Sequence, residues 1–113
     1  MDEKLIKLLS DIRSAISEIE FFLSDRDLGF ESYEKDILLK RAIERELEII
    51  GEAVSKIISI NPDFPIENAR KIIGLRNQII HAYDNISDEM IWSVIINHIP
   101  KLKEEVDLLS NRN

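Results

Sequence analysis

The sequence contains no cysteine, and it has only three glycines and three prolines among its 113 residues. Without cysteine there is no disulfide bond, no thiolate zinc site, no cysteine-bound iron–sulfur cluster and no cysteine nucleophile. No apolar run approaches the roughly 20 residues that span a bilayer. Residues 1–13 are amphipathic and mixed in charge, unlike a secretory signal peptide. We therefore expect a cytoplasmic protein with no membrane partner.

Length and composition favour one globular domain. The apolar fraction of 44% is typical of a folded chain, and 113 residues fit a single domain, here predicted over residues 1–113. The formal net charge is -7. Taken alone, this acidic balance argues against a nucleic-acid partner.

The apolar residues follow helical spacing between sparse glycine and proline breaks, and no segment alternates with a period of two. The pattern predicts an all-α, up-and-down bundle of four to five helices. Predicted helices cover residues 2–24, 33–60 and 66–82, and a fourth begins after residue 87. Ser32 and Ser87 are the predicted N-caps of the second and fourth helices. Pro100 either kinks the fourth helix or opens a last helix that runs to Leu109. Gly51, inside the second helix, predicts a close approach of another helix.

Arg76 breaks the apolar pattern of the third predicted helix. At about 100° per residue it falls within the apolar arc, where an unpaired charge is costly. Two interpretations stay open. Arg76 either snorkels or pairs with a carboxylate such as Glu44, Glu48 or Glu52, or it faces a cleft or subunit interface and awaits an anion.

Three neighbours of Arg76 carry further chemistry. His81 on a polar helix face is more often solvated than catalytic, but Asn77 lies one turn before it and can orient an imidazole nitrogen. Tyr83, taken alone, reads as a core or interface aromatic. Arg76 and His81 are about 140° apart on a regular helix, so either the helix frays near His81 or the two residues line opposite walls of a cleft.

The third predicted helix is also a local basic island. Residues 68–83 contain Arg70, Lys71 and Arg76 and no acidic residue. The acidic balance of the whole chain therefore does not exclude RNA, because a nucleic acid can be confined to this island.

Residues 76–83 read RNQIIHAY and resemble the signature of the HepT-like branch of the HEPN superfamily: Arg, a polar residue, three more residues, His, any residue, Tyr. Residues 48–53, EIIGEA, are similar to the family's mid-helix stretch. The resemblance runs in order and spacing across about residues 36–109.

The resemblance implies the toxin of a type VII toxin–antitoxin system, a metal-independent endoribonuclease that acts on RNA as a homodimer and needs no cofactor. It implies a cognate minimal nucleotidyltransferase antitoxin, which adenylylates the motif tyrosine, here Tyr83.

The chemistry of the motif residues fits this implication. As hypotheses, His81 is the general acid/base and Arg76 binds phosphate. Asn77 orients His81 or contacts phosphate, and Tyr83 positions the substrate and is the modification target. A two-fold dimer would bring two copies of the motif to one cleft and so supply both an acid and a base.

Other functions remain open. The main alternative is a non-catalytic helical module that binds a nucleotide or docks a nucleotidyltransferase. A degenerate toxin kept for dimerisation is a third option, less favoured because the motif is intact. Metal catalysis is the least favoured, because His81 and His98 form no recognisable ligand set with the scattered carboxylates.

Overall fold

The computed structural model describes residues 2–24, 29–81 and 86–111, and every regular element within these ranges is an α-helix. The helices are α1 Glu3–Ser24, α2 Phe30–Lys35, α3 Ile37–Ile60, α4 Ala69–His81, α5 Asp88–Asn97 and α6 Ile99–Ser110. Five of these described helices have ten residues or more, and α2 has six. The all-α bundle of four to five helices is confirmed, with α2 as a short addition.

The helix α3 holds the bundle together because it packs against both α1 and α4. The helix α6 packs against α1 and α5, and α2 joins α3 to α5. Apolar residues at helical spacing from all six helices form one buried cluster. Its most deeply buried members include Ile12, Ile16, Ile43, Ile50 and Val54.

The second predicted helix is in fact two helices, and Ser32 is not its N-cap. Ser32 lies inside α2, and the break falls at Asp36, whose backbone is extended. The Asp36 carboxylate accepts a hydrogen bond from the Leu39 backbone N at 3.0 Å and so caps α3. The apolar pattern runs across this break, which is why periodicity alone missed it.

The later helix boundaries agree better with the sequence. Ser87 caps α5 through a hydrogen bond from the Met90 backbone N to its hydroxyl, at 3.1 Å. Pro100 lies in the first turn of α6 and opens that helix, which settles the choice between a kink and a start. The helix α4 begins at Ala69, three residues later than predicted, and its predicted end at residue 82 lies outside the described residues.

Candidate functional site

Arg76 lies where α4 approaches α3 most closely. A Cβ atom added to Gly51 would lie 2.2 Å from the Arg76 Cβ and 2.8 Å from its Cγ. The absence of a side chain at position 51 is therefore what lets the Arg76 stem pack against α3. This confirms the close helix approach predicted for Gly51 and names the residue that makes it.

The Arg76 guanidinium is held at both of its terminal nitrogens. Its Nη2 donates to the Glu52 Oε2 at 2.5 Å, and its Nη1 donates to the Asn77 Oδ1 at 2.9 Å. Its Nε is buried and has no hydrogen-bond partner among the described residues. Of the carboxylates considered as partners for Arg76, Glu52 is the one that pairs with it.

Arg76 also lines a cleft of about 360 Å³ between α1, α3 and α4, here named the Arg76 cleft. One face of α3 supplies most of the wall: Arg45, Glu48, Ile49, Glu52, Ala53 and Lys56. Leu8 and Asp11 come from α1, and Ile80 joins Arg76 from α4. Arg76 thus has the carboxylate partner of the first interpretation and also faces a cleft. That this cleft receives an anion stays a prediction.

The charges of the Arg76 cleft are mixed and paired. Arg45 lies 3.1 Å from Glu48, and Lys56 lies 3.7 Å from the second oxygen of Glu52. These α3 residues recur at steps of three and four, so they share one helix face. That spacing was readable in the sequence and was the signal that could have found this charged row.

His81 lies apart from the cleft within one chain. It is exposed, it belongs to the last turn of α4, and it is not among the described residues that line the cleft. The helix stays regular through His81, so fraying before this residue does not bring it round to Arg76. Within the described residues of one chain, Arg76 lines the cleft and His81 does not.

The remaining predicted residues are placed less completely. Asn77 is exposed, and its side-chain oxygen contacts Arg76. Tyr83 lies outside the described residues. Arg70 and Lys71 are exposed at the start of α4 and line a different hollow, so the basic island is divided between two surfaces.

Two buried ionisable groups lie outside the Arg76 cleft. Burial, together with a hydrogen bond and charge repulsion from Glu18, raises the pKa of Glu46 to about 7. Burial and then the carboxylates of Glu44 and Asp88 raise the pKa of Tyr33 above its ordinary range. Glu46 lies three residues after Ile43 and four before Ile50, so it shares the buried face of α3. That spacing was the signal in the sequence that could have found this buried carboxyl group.

No described helix is both long and apolar enough to cross a membrane. Within residues 2–24, 29–81 and 86–111, no group of three or more His, Asp and Glu side chains is arranged to hold a metal ion.

The family model and the relatives that match this chain all indicate the same family. The model of the family described as ribonuclease HepT-like matches residues 12–109. A protein of Caldanaerobacter subterraneus subsp. tengcongensis, named as a putative RNase, is 34% identical over 96 residues, covering 80% of this chain and 83% of that protein. A Thermococcus cleftensis protein named as a probable ribonuclease HepT is 34% identical over 105 residues, covering 89% of this chain and 91% of that protein.

A third relative, from Methanocaldococcus jannaschii and also named as a putative RNase, is 32% identical over 99 residues, or 87% of this chain and 88% of that protein. No solved structure matches the chain. The family match spans both Gly51 and the Arg76 to His81 segment, and it confirms the resemblance seen in the sequence. This chain belongs to the HepT-like ribonuclease family.

Proposed function

We propose that this protein is an endoribonuclease that cleaves RNA without a metal ion or other cofactor, and that Arg76 and His81 carry the reaction. The observation that carries the proposal is the position of Arg76, which lines the cleft while its two recorded hydrogen bonds use only two of the five N–H donors of a guanidinium. A guanidinium with spare donors on its terminal nitrogens is suited to bind a phosphate oxygen at a cleft. Membership of the family described as ribonuclease HepT-like supports RNA as the substrate.

The residues fit a reaction that RNA itself can undergo. The 2′-hydroxyl attacks the adjacent phosphorus and expels the 5′-oxygen of the next nucleotide. The protein must accept a proton from the 2′-hydroxyl, give one to the leaving oxygen and stabilise charge on the phosphate. His81 carries protons because an imidazole has one nitrogen that can donate a proton and one that can accept it. Arg76 holds the phosphate because a guanidinium can donate two parallel hydrogen bonds to phosphate oxygens.

The acting form is a homodimer. Arg76 lines the cleft, whereas His81 lies outside the cleft, about 140° from Arg76 around the axis of α4. The reaction needs both an acid and a base, and one chain has one motif histidine. A two-fold axis near α4 supplies the second His81. We expect the cleavage rate per chain to fall when the protein is diluted below its dimer dissociation constant, and a rate independent of dilution with a monomeric mass contradicts the dimer.

The biological role is that of a toxin in a type VII toxin–antitoxin pair, with a minimal nucleotidyltransferase as antitoxin. Tyr83 follows His81 by two residues, so adenylylation of its hydroxyl places a bulky anion beside the motif and repels RNA. Mass analysis of protein co-expressed with the partner tests this directly. We expect an added AMP on Tyr83 that Tyr83→Phe abolishes, and a modified protein without AMP at Tyr83 contradicts the assignment.

Cleavage of labelled RNA by purified protein in EDTA tests the central proposal. We expect Arg76→Ala and His81→Ala each to lower the rate by about 10²–10⁴-fold, as for loss of a proton-transfer or charge-stabilising group. Arg41→Ala and His98→Gln are the matched controls, because both residues lie outside the Arg76 cleft and the basic island. Undiminished cleavage by both Arg76→Ala and His81→Ala overturns the proposal.

A second candidate is a non-catalytic module that binds a nucleotide or docks a nucleotidyltransferase. The paired charges favour it, because Glu48 and Glu52 already offset the cations of the cleft. The net charge of -7 also disfavours a broad RNA surface. Growth arrest on expression of the chain alone, lost with His81→Ala, supports the ribonuclease. Partner binding without cleavage or growth arrest supports the module.

A further inference from the structure

Two consecutive residues of α3 hold the same arginine of α4. Gly51 leaves the space that the Cβ and Cγ of Arg76 occupy. Glu52 then accepts a hydrogen bond from the Arg76 Nη2. The stem and the tip of Arg76 are therefore both fixed by α3, whereas Asn77 contacts Arg76 from within α4.

We propose that Glu52 is a positioning residue for RNA cleavage: its carboxylate holds the Arg76 guanidinium in the cleft, in the orientation that receives the phosphate. The inference rests on the proposed ribonuclease function. A guanidinium held in advance loses less side-chain freedom when RNA binds. Its charge is also aligned before the transition state forms, which is the condition for electrostatic stabilisation.

Glu52 differs in its partner from the other carboxylates of the cleft. Glu48 pairs with Arg45 one turn earlier on α3, and Asp11 pairs with Lys7 on α1. Among the described residues, Arg76 takes Glu52 as its ion-pair partner. The positioning contact therefore comes from one carboxylate rather than from the general charge of the cleft.

Two features keep Arg76 able to bind an anion while Glu52 holds it. Lys56 lies 3.7 Å from the Glu52 Oε1, so the three groups together keep a net positive charge. The two bonds of Arg76 use two of the five N–H donors of a guanidinium. A phosphate can thus share Arg76 with Glu52 rather than replace it.

The exposure of the Glu52 and Arg76 side chains indicates that their ion pair contributes little to folding. The Glu52 side chain is 44% exposed and that of Arg76 is 26% exposed. Ion pairs at such exposure contribute little to folding stability, because solvent screens them. Loss of the Glu52 carboxylate should therefore affect the cleavage step far more than the folded state.

Single-turnover RNA cleavage by Glu52→Ala and Glu52→Gln tests the proposal. We expect Glu52→Ala to lower the maximal rate about 10–100-fold, the scale of a misplaced catalytic group, with the RNA concentration at half-maximal rate changed less. Glu52→Gln keeps a hydrogen-bond acceptor and should recover part of the rate. Glu44→Gln is the matched control, because Glu44 lies on α3, pairs with Arg41 and is outside the cleft.

A readout independent of cleavage is the NMR signal of the Arg76 Nε–H. This buried proton should exchange slowly with water in the unmodified protein and in Glu44→Gln. It should exchange faster in Glu52→Ala, while the melting temperature stays within about 3 °C, as expected for loss of a half-exposed ion pair. Unchanged exchange in Glu52→Ala overturns the positioning role.

The outcomes separate this inference from the proposed function. If Arg76→Ala and His81→Ala both retain full cleavage, the proposed function fails. If Arg76→Ala loses cleavage but Glu52→Ala does not, only the role of Glu52 fails. If Glu52→Ala cleaves faster and binds RNA more tightly, Glu52 competes with the phosphate, and the positioning role is overturned.

Discussion

The helix α3 uses its two main interfaces differently. Towards α1 it buries Glu46, which is 5% exposed and interacts with Glu18. Towards α4 it presents Gly51 and a half-exposed Glu52 that pairs with Arg76. The same residue type, glutamate, therefore lies in a core on one side of α3 and in an open cleft on the other.

The difference between the two glutamates leads us to expect different roles for them. A buried carboxyl group affects the free energy of unfolding, because its charged form is poorly solvated. A carboxylate in an open cleft is screened and contributes little to stability, but it can orient an arginine. We expect substitution of Glu46 to change stability and its pH dependence, and substitution of Glu52 to change cleavage.

The largest expected effect is that of Gly51→Ala, which disrupts the packing of α3 against α4. The new Cβ would meet the Arg76 Cβ, which is anchored to the α4 backbone, so the helices must separate. We expect a loss of about 1–3 kcal/mol in the free energy of unfolding, partly offset by about 1 kcal/mol of helix propensity. Cleavage should fall at least about tenfold, because Arg76 moves. Denaturant unfolding and RNA cleavage measure the two effects, and wild-type values for both contradict the account of this interface.

The next largest expected effect is that of Glu46→Gln, at the α1 interface, on the pH dependence of the free energy of unfolding. The pKa of Glu46 is raised in the folded state from 4.5 to about 7. Its protonated form is thus favoured by folding, so this stability is fully present below pH 4.5 and is lost as the pH rises through about 7. We expect Glu46→Gln to stabilise the protein by about 1–2 kcal/mol at pH 8 and to flatten this profile.

Chemical unfolding at several pH values measures the Glu46 effect. Glu34→Gln, which changes an exposed carboxylate of α2, is the matched control and should keep the wild-type profile. A Glu46→Gln profile as steep as that of the wild type between pH 4.5 and 7 contradicts the assignment of this pH dependence to Glu46.

The smallest expected effect is that of Gly74→Ala, on the face of α4 that Arg76 does not share. A Cβ at Gly74 meets nothing within 4 Å, and no described glycine has a positive φ. We expect a gain of about 0.5–1 kcal/mol in the free energy of unfolding from helix propensity, with cleavage unchanged. A loss of stability or cleavage equal to that of Gly51→Ala shows that the two glycines are not distinguished by the Arg76 contact.

The sequence predicted those features of the fold that depend on local chemistry. The hydroxyl of Ser87 caps a helix by itself, so that start was predicted. Pro100 was left open between a kink and a helix start, because its ring fits both, and the structure shows a start. Asp36 was missed because the apolar stripe of α3 continues across the break that its carboxylate makes. Helical periodicity gives the face of a residue but not a competing cap.

The candidate site was predicted in part for a similar reason. Periodicity placed Arg76 on an apolar arc and Gly51 at a close helix approach, and both were confirmed. It left several carboxylates open as partners for Arg76, because the rotation of α4 against α3 depends on packing across the whole interface. The second contribution to catalysis that we propose, from His81 of another copy of this chain, is not contained in the fold of one chain.

The central claim is that this chain cleaves RNA by attack of a 2′-hydroxyl, with Arg76 and His81 and without a metal ion. The most direct measurement compares an RNA with the same RNA carrying one 2′-deoxy nucleotide at the cut position, in EDTA. We expect cleavage of the first with a 5′-hydroxyl on the downstream product, and no cleavage of the second at that position. Cleavage of the 2′-deoxy substrate, or cleavage abolished by EDTA and restored by a divalent metal ion, would contradict it.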